Sequence, residues 1–217
     1  ALYLLSAGDR VIVERLEGLP AAGAYYVAYA IGGLGVFLVA GLKGAWQPAI
    51  FGAGEERRWP LLATTGAEVA RVTALTVAAL AIGAPCALAV FAPSDYEVSG
   101  LGSVSALVAA STFPYLWVSL ESTIVVWSRR TLIFAIATPI SVAVNLVLCA
   151  LLIPPMGLEG AALATLFGYS LLALLTHARA SRLAAVPWDM EAMLLPAAAA
   201  AAAVGVALVL PDDGVWL

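Results

Sequence analysis

Long apolar runs separated by short polar gaps make up almost the whole chain. Seven runs can be marked, at 1–17, 24–50, 60–92, 101–127, 131–153, 158–178 and 192–210. A helix needs about 20 residues to cross a hydrocarbon core of about 30 Å, and all but the first run reach or approach that length. The runs are roughly twice as long as a barrel strand and show no two-residue alternation. Lipid offers no partner to backbone polar groups, and within one spanning segment only a helix satisfies them all. The pattern predicts an all-α integral membrane protein, a single polytopic bundle of about seven transmembrane helices over 1–217. Pro48, Pro85, Pro114, Pro139 and Pro196 fall inside the runs, where each removes a backbone donor and marks an expected bend. Pro20 with Gly23 is expected to turn the chain into the second run, Pro60 to open the third, and Pro154-Pro155 to stop the fifth.

The polar gaps alternate in charge. Lys43, Arg57, Arg58 and Arg71, then Arg129 and Arg130, then Arg179 and Arg182 fall in or beside every second gap. The intervening gaps, 93–100 and 154–159, and the tail 211–217 hold Asp95, Glu97, Glu159, Asp212 and Asp213 but no Lys or Arg. Lys and Arg in short loops stay on the cytoplasmic side of a membrane. Loops 52–59, 128–131 and 179–189 are therefore expected in the cytoplasm, with the first helix running outward and the seventh ending outside.

Composition narrows the class further. The chain is 63% apolar and 11% charged, with a mean hydropathy of +1.01, which leaves too few polar residues to cover a soluble core. A pI near 4.9 and the absence of a basic stripe argue against nucleic acid as a partner. Cys86 and Cys149 lie inside apolar runs and read as small apolar fillers rather than a disulfide. No phosphate-binding Gly-Lys-Ser/Thr loop, no Cys/His cluster and no plausible Ser/His/Asp set is present, so a transporter without cofactor or metal is expected rather than an enzyme. The chain starts without Met on a truncated apolar run, which predicts a fragment whose remaining half belongs to the same polypeptide.

Two stretches carry a resemblance. The first runs from Asn145 through Ile153-Pro154-Pro155-Met156-Gly157-Leu158-Glu159-Gly160-Ala161-Ala162-Leu163-Ala164-Thr165, followed by Gly168-Tyr169-Ser170. The second is Gly8-Asp9-Arg10, then Gly23-Ala24-Tyr25 and Val27-Ala28-Tyr29. Together they resemble the polysaccharide-export flippases of the multidrug/oligosaccharidyl-lipid/polysaccharide exporter superfamily, over roughly residues 5 to 180. The resemblance implies the C-terminal half of a two-bundle, MATE-like transporter in the bacterial cytoplasmic (inner) membrane. It also implies a lipid-linked saccharide substrate. The first stretch has a reading of its own as well: Gly160, Ala164 and Gly168, four apart, form a small-residue face for close helix packing. Glu159 suits the positive end of the helix that it opens, as a cap.

Charges within the runs are the candidate working groups, because each costs roughly 2.5–3.5 kcal/mol or more to insert. Asp9 and Arg10 lie two turns inside one helix end, and Arg10 with Glu14 at i,i+4 predicts an ion pair, a cavity role being the other reading. Lys43 reads either as snorkelling to the headgroups or as attracting a substrate phosphate. Glu121 is too deep to reach water easily, so it either faces a cavity, as a coupling group, or is a buried hydrogen-bonded or protonated acid. Asn145 is expected to bridge two helices or touch substrate. His177, beside Arg179, suits a helix end and its interface. Tyr25, Tyr26, Tyr29, Trp127 and Trp188 are expected near the interfaces, Tyr29 deeper than the rest.

The leading expectation is a flippase moving lipid-linked saccharides by alternating access. Arg10, Lys43 and Asn145 would bind substrate, and Asp9 and Glu121 would couple transport to an ion gradient. A multidrug or cation antiporter of the same superfamily is the alternative, and there Glu121 would dominate. A membrane glycosyltransferase or polymerase acting on the same lipid is a second alternative, disfavoured by the short outer loops.

Overall fold

The computed structural model describes residues 2–91 and 100–209, with side chains from Gly8 onward. The gap residues Asp95 and Glu97 and the tail residues Asp212 and Asp213 lie outside the described residues. Among the described residues nine helices follow one another: α1 Leu2–Glu17, α2 Leu19–Gly32, α3 Leu34–Gly52, α4 Glu55–Phe91, α5 Leu101–Ala110, α6 Thr112–Trp127, α7 Leu132–Met156, α8 Leu158–Ala180 and α9 Met190–Val209. Among the described residues six segments are long and apolar enough to cross a membrane: α3, α4, the α5–α6 pair, α7, α8 and α9. There is no strand among the described residues. The class is thus a multi-pass helical membrane bundle.

Proline marks the boundaries less than expected. Gly18, at φ +90°, separates α1 from α2, and Pro20 sits harmlessly in α2's first turn, where helix donors have no partner anyway. Helix α4 opens at Glu55, five residues before Pro60, with Glu55 and Glu56 against the positive end of its dipole. Pro154 and Pro155 do not stop α7. It continues to Met156, and the stop is Gly157, whose φ/ψ of +58°/−137° is a combination that only glycine readily adopts. The Gly157 N–H donates to the Ile153 carbonyl at 2.7 Å and closes the last turn. Of the five mid-run prolines only Pro114 lies beside a break. It withholds a donor from the Ala110 carbonyl, where α5 ends. The expected run 24–50 is likewise divided, at Gly33, next to a second glycine.

The α5–α6 segment is central, with 72% of its apolar window buried, whereas α9 is peripheral at 17%. Around α5–α6 the core falls into three seams. One, around Ile50, Leu62, Leu116, Leu120 and Leu172, joins α3, α4, α6 and α8. A second, around Val13, Tyr25, Leu88, Cys149 and Ala161, joins α1, α2, α4, α7 and α8. The third packs Ala200 and Val204 of α9 on Val77 and Ala106. Large apolar side chains such as Phe37, Leu75, Leu132, Leu151 and Leu174 face outward, as a lipid solvent permits.

The basic gaps meet at one end of the bundle. The Arg58 guanidinium lies 3.6 Å from the Trp127 ring centroid, and Phe51 packs on the same indole at 5.5 Å. Arg130, Arg179 and Arg182 surround a single cavity. At the opposite end the Ser103 hydroxyl donates to Glu159 at 2.6 Å. The alternate gaps that carry arginine along the chain thus gather at one end of the folded bundle.

Candidate functional site

The most completely enclosed charge is Asp9, with no exposed surface. Three donors meet its carboxylate: the Tyr25 hydroxyl at 2.8 Å, the Thr165 hydroxyl at 3.0 Å and the Arg10 backbone N–H at 2.8 Å. A carboxylate offers about four acceptor positions, so this set nearly fills it with charge-assisted bonds. Tyr25 is fully buried, which corrects its expected place in an interfacial belt; Tyr26, on the next face of α2, is the exposed one. The predicted Arg10–Glu14 pair does not form among the described residues. The Arg10 guanidinium instead lies 4.3 Å from the Tyr26 ring centroid and 5.3 Å from that of Tyr29, a cation–π arrangement reached across α1 and α2. Its Nε is buried without a partner among the described residues.

Asn145 and Ser141 lie one turn apart on the buried face of α7. Neither the Ser141 hydroxyl nor either amide atom of Asn145 has a hydrogen-bond partner among the described residues. Asn145 therefore does not bridge two helices as expected. Cys149, one turn further along that face, belongs to the seam that contains Tyr25. In the other direction along the helix, Thr138 lines a cavity.

That cavity, of about 210 Å³, lies between α3, α6, α7 and α8 towards the basic end. Lys43 enters it beside the hydroxyl-bearing residues Tyr115, Ser119, Ser122 and Thr138. Lys43 is only partly exposed, and no carboxylate lies within ion-pair distance among the described residues. The arrangement suits an anion: one ammonium group, several neutral donors and no competing acid.

Glu121 is 1% exposed, and its Oε1 lies 2.7 Å from the His177 Nδ1. Its Oε2 has no partner among the described residues. The His177 side chain is 41% exposed, so the pair reaches from the interior to the surface of the bundle. Trp117 packs edge-on against the imidazole at 5.5 Å and in turn on Trp188 at 5.3 Å. The sequence places His177 at a helix end beside Arg179 and carries no signal of a partner 56 positions earlier.

Gly160 lies against the backbone of α7. A β-carbon there would collide with the Leu152 carbonyl, so α7 and α8 touch backbone to backbone. Ala164 and Gly168 are buried along the same helix. Glu159 lies in the first turn of α8, and its Oε1 accepts from the Ser103 hydroxyl at 2.6 Å. The candidate residues thus divide among three places: Asp9 and Arg10 with Tyr25 and Thr165, Lys43 in its cavity, and Glu121 with His177. No group of three or more His, Cys, Asp or Glu among the described residues could hold a metal ion.

No protein-family model, no curated protein and no solved structure matches this chain.

Proposed function

We propose that this chain is part of an exporter that moves lipid-linked saccharides across a membrane by alternating access. The observation that supports the reading best is the Asp9 cluster. Asp9 and Tyr25 belong to one of the two stretches that resemble polysaccharide-export flippases, and Thr165 ends the other. The two stretches, far apart in the chain, meet at a single buried carboxylate. A charge placed so deep is costly, and in transporters such groups commonly serve coupling ions or substrate.

In this proposal Lys43, and Arg10 where its guanidinium leaves the tyrosines, attract the phosphates of the lipid carrier. Asp9 and Glu121 are the coupling groups. The basic end of the bundle faces the cytoplasm, in keeping with the retention of Arg and Lys there. The other bundle of the transporter is supplied by the remainder of the polypeptide.

A second reading, an antiporter for amphipathic cations, has one specific observation in its favour. A cavity of about 440 Å³ is walled by Phe113, Trp117, Met190 and Met193 with His177 beside the buried Glu121. Aromatic faces near an acid suit an organic cation.

The deciding experiment uses the full-length protein in proteoliposomes with a fluorescent lipid-linked saccharide. Leaflet translocation is expected, and Asp9→Asn should slow it about tenfold or more, equivalent to about 1.4 kcal/mol of barrier. Absence of translocation together with Glu121-dependent efflux of a cationic dye would transfer the assignment to the antiporter.

A further inference from the structure

At the basic end, between the start of α7 and the end of α8, lies a cavity of about 400 Å³ rimmed by Arg130, Arg179 and Arg182. None of its lining residues is acidic, and no carboxylate lies within 4.0 Å of these arginines among the described residues. Three exposed guanidinium groups on one cavity, with no acid among its lining residues, give it a positive potential that favours an anion.

The backbone holds this rim in place. The α6–α7 turn passes through Arg129 at φ +53°, a left-handed conformation uncommon for a residue with a β-carbon. It is secured by the Arg129 N–H donating to Val126 and the Arg130 N–H to Val125, both at 3.1 Å, the pattern that closes a helix C-terminus. Arg179 belongs to the last turn of α8, and Arg182 to the turn that follows.

The floor of the cavity is apolar. Leu132, Ile136 and Ile140 stand four apart on α7 and are exposed, forming a stripe of about 12 Å that starts at the arginines. An apolar stripe alone would only mark a lipid-facing helix. Joined to three uncompensated arginines at its foot, it matches a molecule with a phosphate at one end and a hydrocarbon chain at the other. We infer that this cavity is a binding site for an anionic phospholipid of the leaflet at the basic end. Its phosphate lies among Arg130, Arg179 and Arg182, and an acyl chain lies along Leu132, Ile136 and Ile140. The site shares no lining residue with the Lys43 cavity, and the inference holds whatever cargo the protein carries.

Native mass spectrometry of the full-length protein, titrated with cardiolipin, phosphatidylglycerol and phosphatidylethanolamine, tests this site. The two anionic lipids should bind preferentially, and each single Arg→Gln change should weaken them about fivefold, the effect of about 1 kcal/mol per basic residue. The triple variant R130Q/R179Q/R182Q should lose the preference, while Arg71→Gln, on an arginine already paired with Glu68, should leave it intact. If the triple variant fails to fold, the single variants at the exposed Arg130 and Arg182 give the same reading. Equal binding of phosphatidylethanolamine, or an anionic preference that survives the Arg→Gln changes, overturns the proposal. Displacement of bound phospholipid by an equimolar polyprenyl diphosphate also overturns it, by assigning the cavity to the cargo.

Discussion

The Asp9 carboxylate accepts a hydrogen bond from the Thr165 hydroxyl at 3.0 Å across 156 positions of sequence, inside a seam that excludes solvent. The same Oδ2 accepts from Tyr25, so α1, α2 and α8 are tied at one atom. Bonds to a charged group are worth about 1.5–3 kcal/mol each, and each donor lost leaves part of a buried charge unsatisfied. Thr165→Val and Tyr25→Phe, both near-isosteric, should each destabilise the full-length protein by roughly that amount. Combined with Asp9→Asn in a double-mutant cycle, each should show a coupling of at least about 1 kcal/mol. Additive effects in thermal unfolding would mean that the hydroxyls pack beside Asp9 without bonding it.

The Glu121–His177 pair should respond in the opposite way to single and double replacement. His177→Ala strips the buried carboxylate of its one partner and should cost about 1–3 kcal/mol or more. Replacing both groups by leucine removes the stranded charge together with its partner and should cost less than the single change. Chemical unfolding of the three variants in the same detergent makes the comparison. A double variant less stable than His177→Ala would remove this hydrogen-bonded pair from the account.

The helices were legible because lipid imposes a coarse length rule that apolar runs obey on sight. Local chemistry was less legible. Pro154-Pro155 looked like a stop, yet a proline in a helix's last turn forfeits only a bond to a carbonyl near the helix end, and the chain reverses at Gly157 instead. Asp9, Glu121, Lys43 and Asn145 stood out as polar residues in apolar runs, and all four are wholly or partly buried. Their partners did not stand out. Tyr25 and Thr165 are ordinary residues in a membrane sequence, and only the packing of α1 on α2 and α8 reveals what their hydroxyls do. His177 was read from its position at a helix end, whereas its role follows from the α6–α8 contact that brings Glu121 to it.

Close packing of α7 on α8 makes Gly160 intolerant. Gly160→Ala places a methyl group on the Leu152 carbonyl, and because that neighbour is backbone it cannot swing aside. A loss of about 1–3 kcal/mol is expected, as for other overpacked sites. Gly41→Ala is the matched control: nothing lies within 4 Å of its added carbon, and in a helix the change should gain about 0.5–1 kcal/mol. Thermal unfolding should separate the two variants in sign. If both move the same way, the small-residue face is not a packing constraint.

The polarity of the bundle gives a labelling prediction. With Cys86 and Cys149 replaced by alanine, single cysteines at Ser128 and Ser181 lie at the basic end, and those at the exposed Glu17 and Met156 at the other. In intact cells a membrane-impermeant maleimide should react with the second pair alone, and with the first only after permeabilisation. Reaction of Ser128→Cys and Met156→Cys from the same side would remove the basis for the proposed orientation.

Asn145 keeps two polar atoms and Ser141 one in a buried seam, with no partner for any of them among the described residues. An unsatisfied buried group costs about 1–3 kcal/mol, so a side chain retained only for stability would not be an amide here. Asn145→Leu, close in volume and wholly apolar, should leave the unfolding temperature unchanged or raise it. The same substitution should depress translocation, because along α7 the amide lies between Thr138, on the Lys43 cavity, and the seam that contains Tyr25, Asp9's partner. Stability and activity moving in opposite directions is the signature of a group retained for function. A variant that unfolds earlier would show that the amide has structural partners, and one that transports normally would show that the path from Lys43 to Asp9 does not use it.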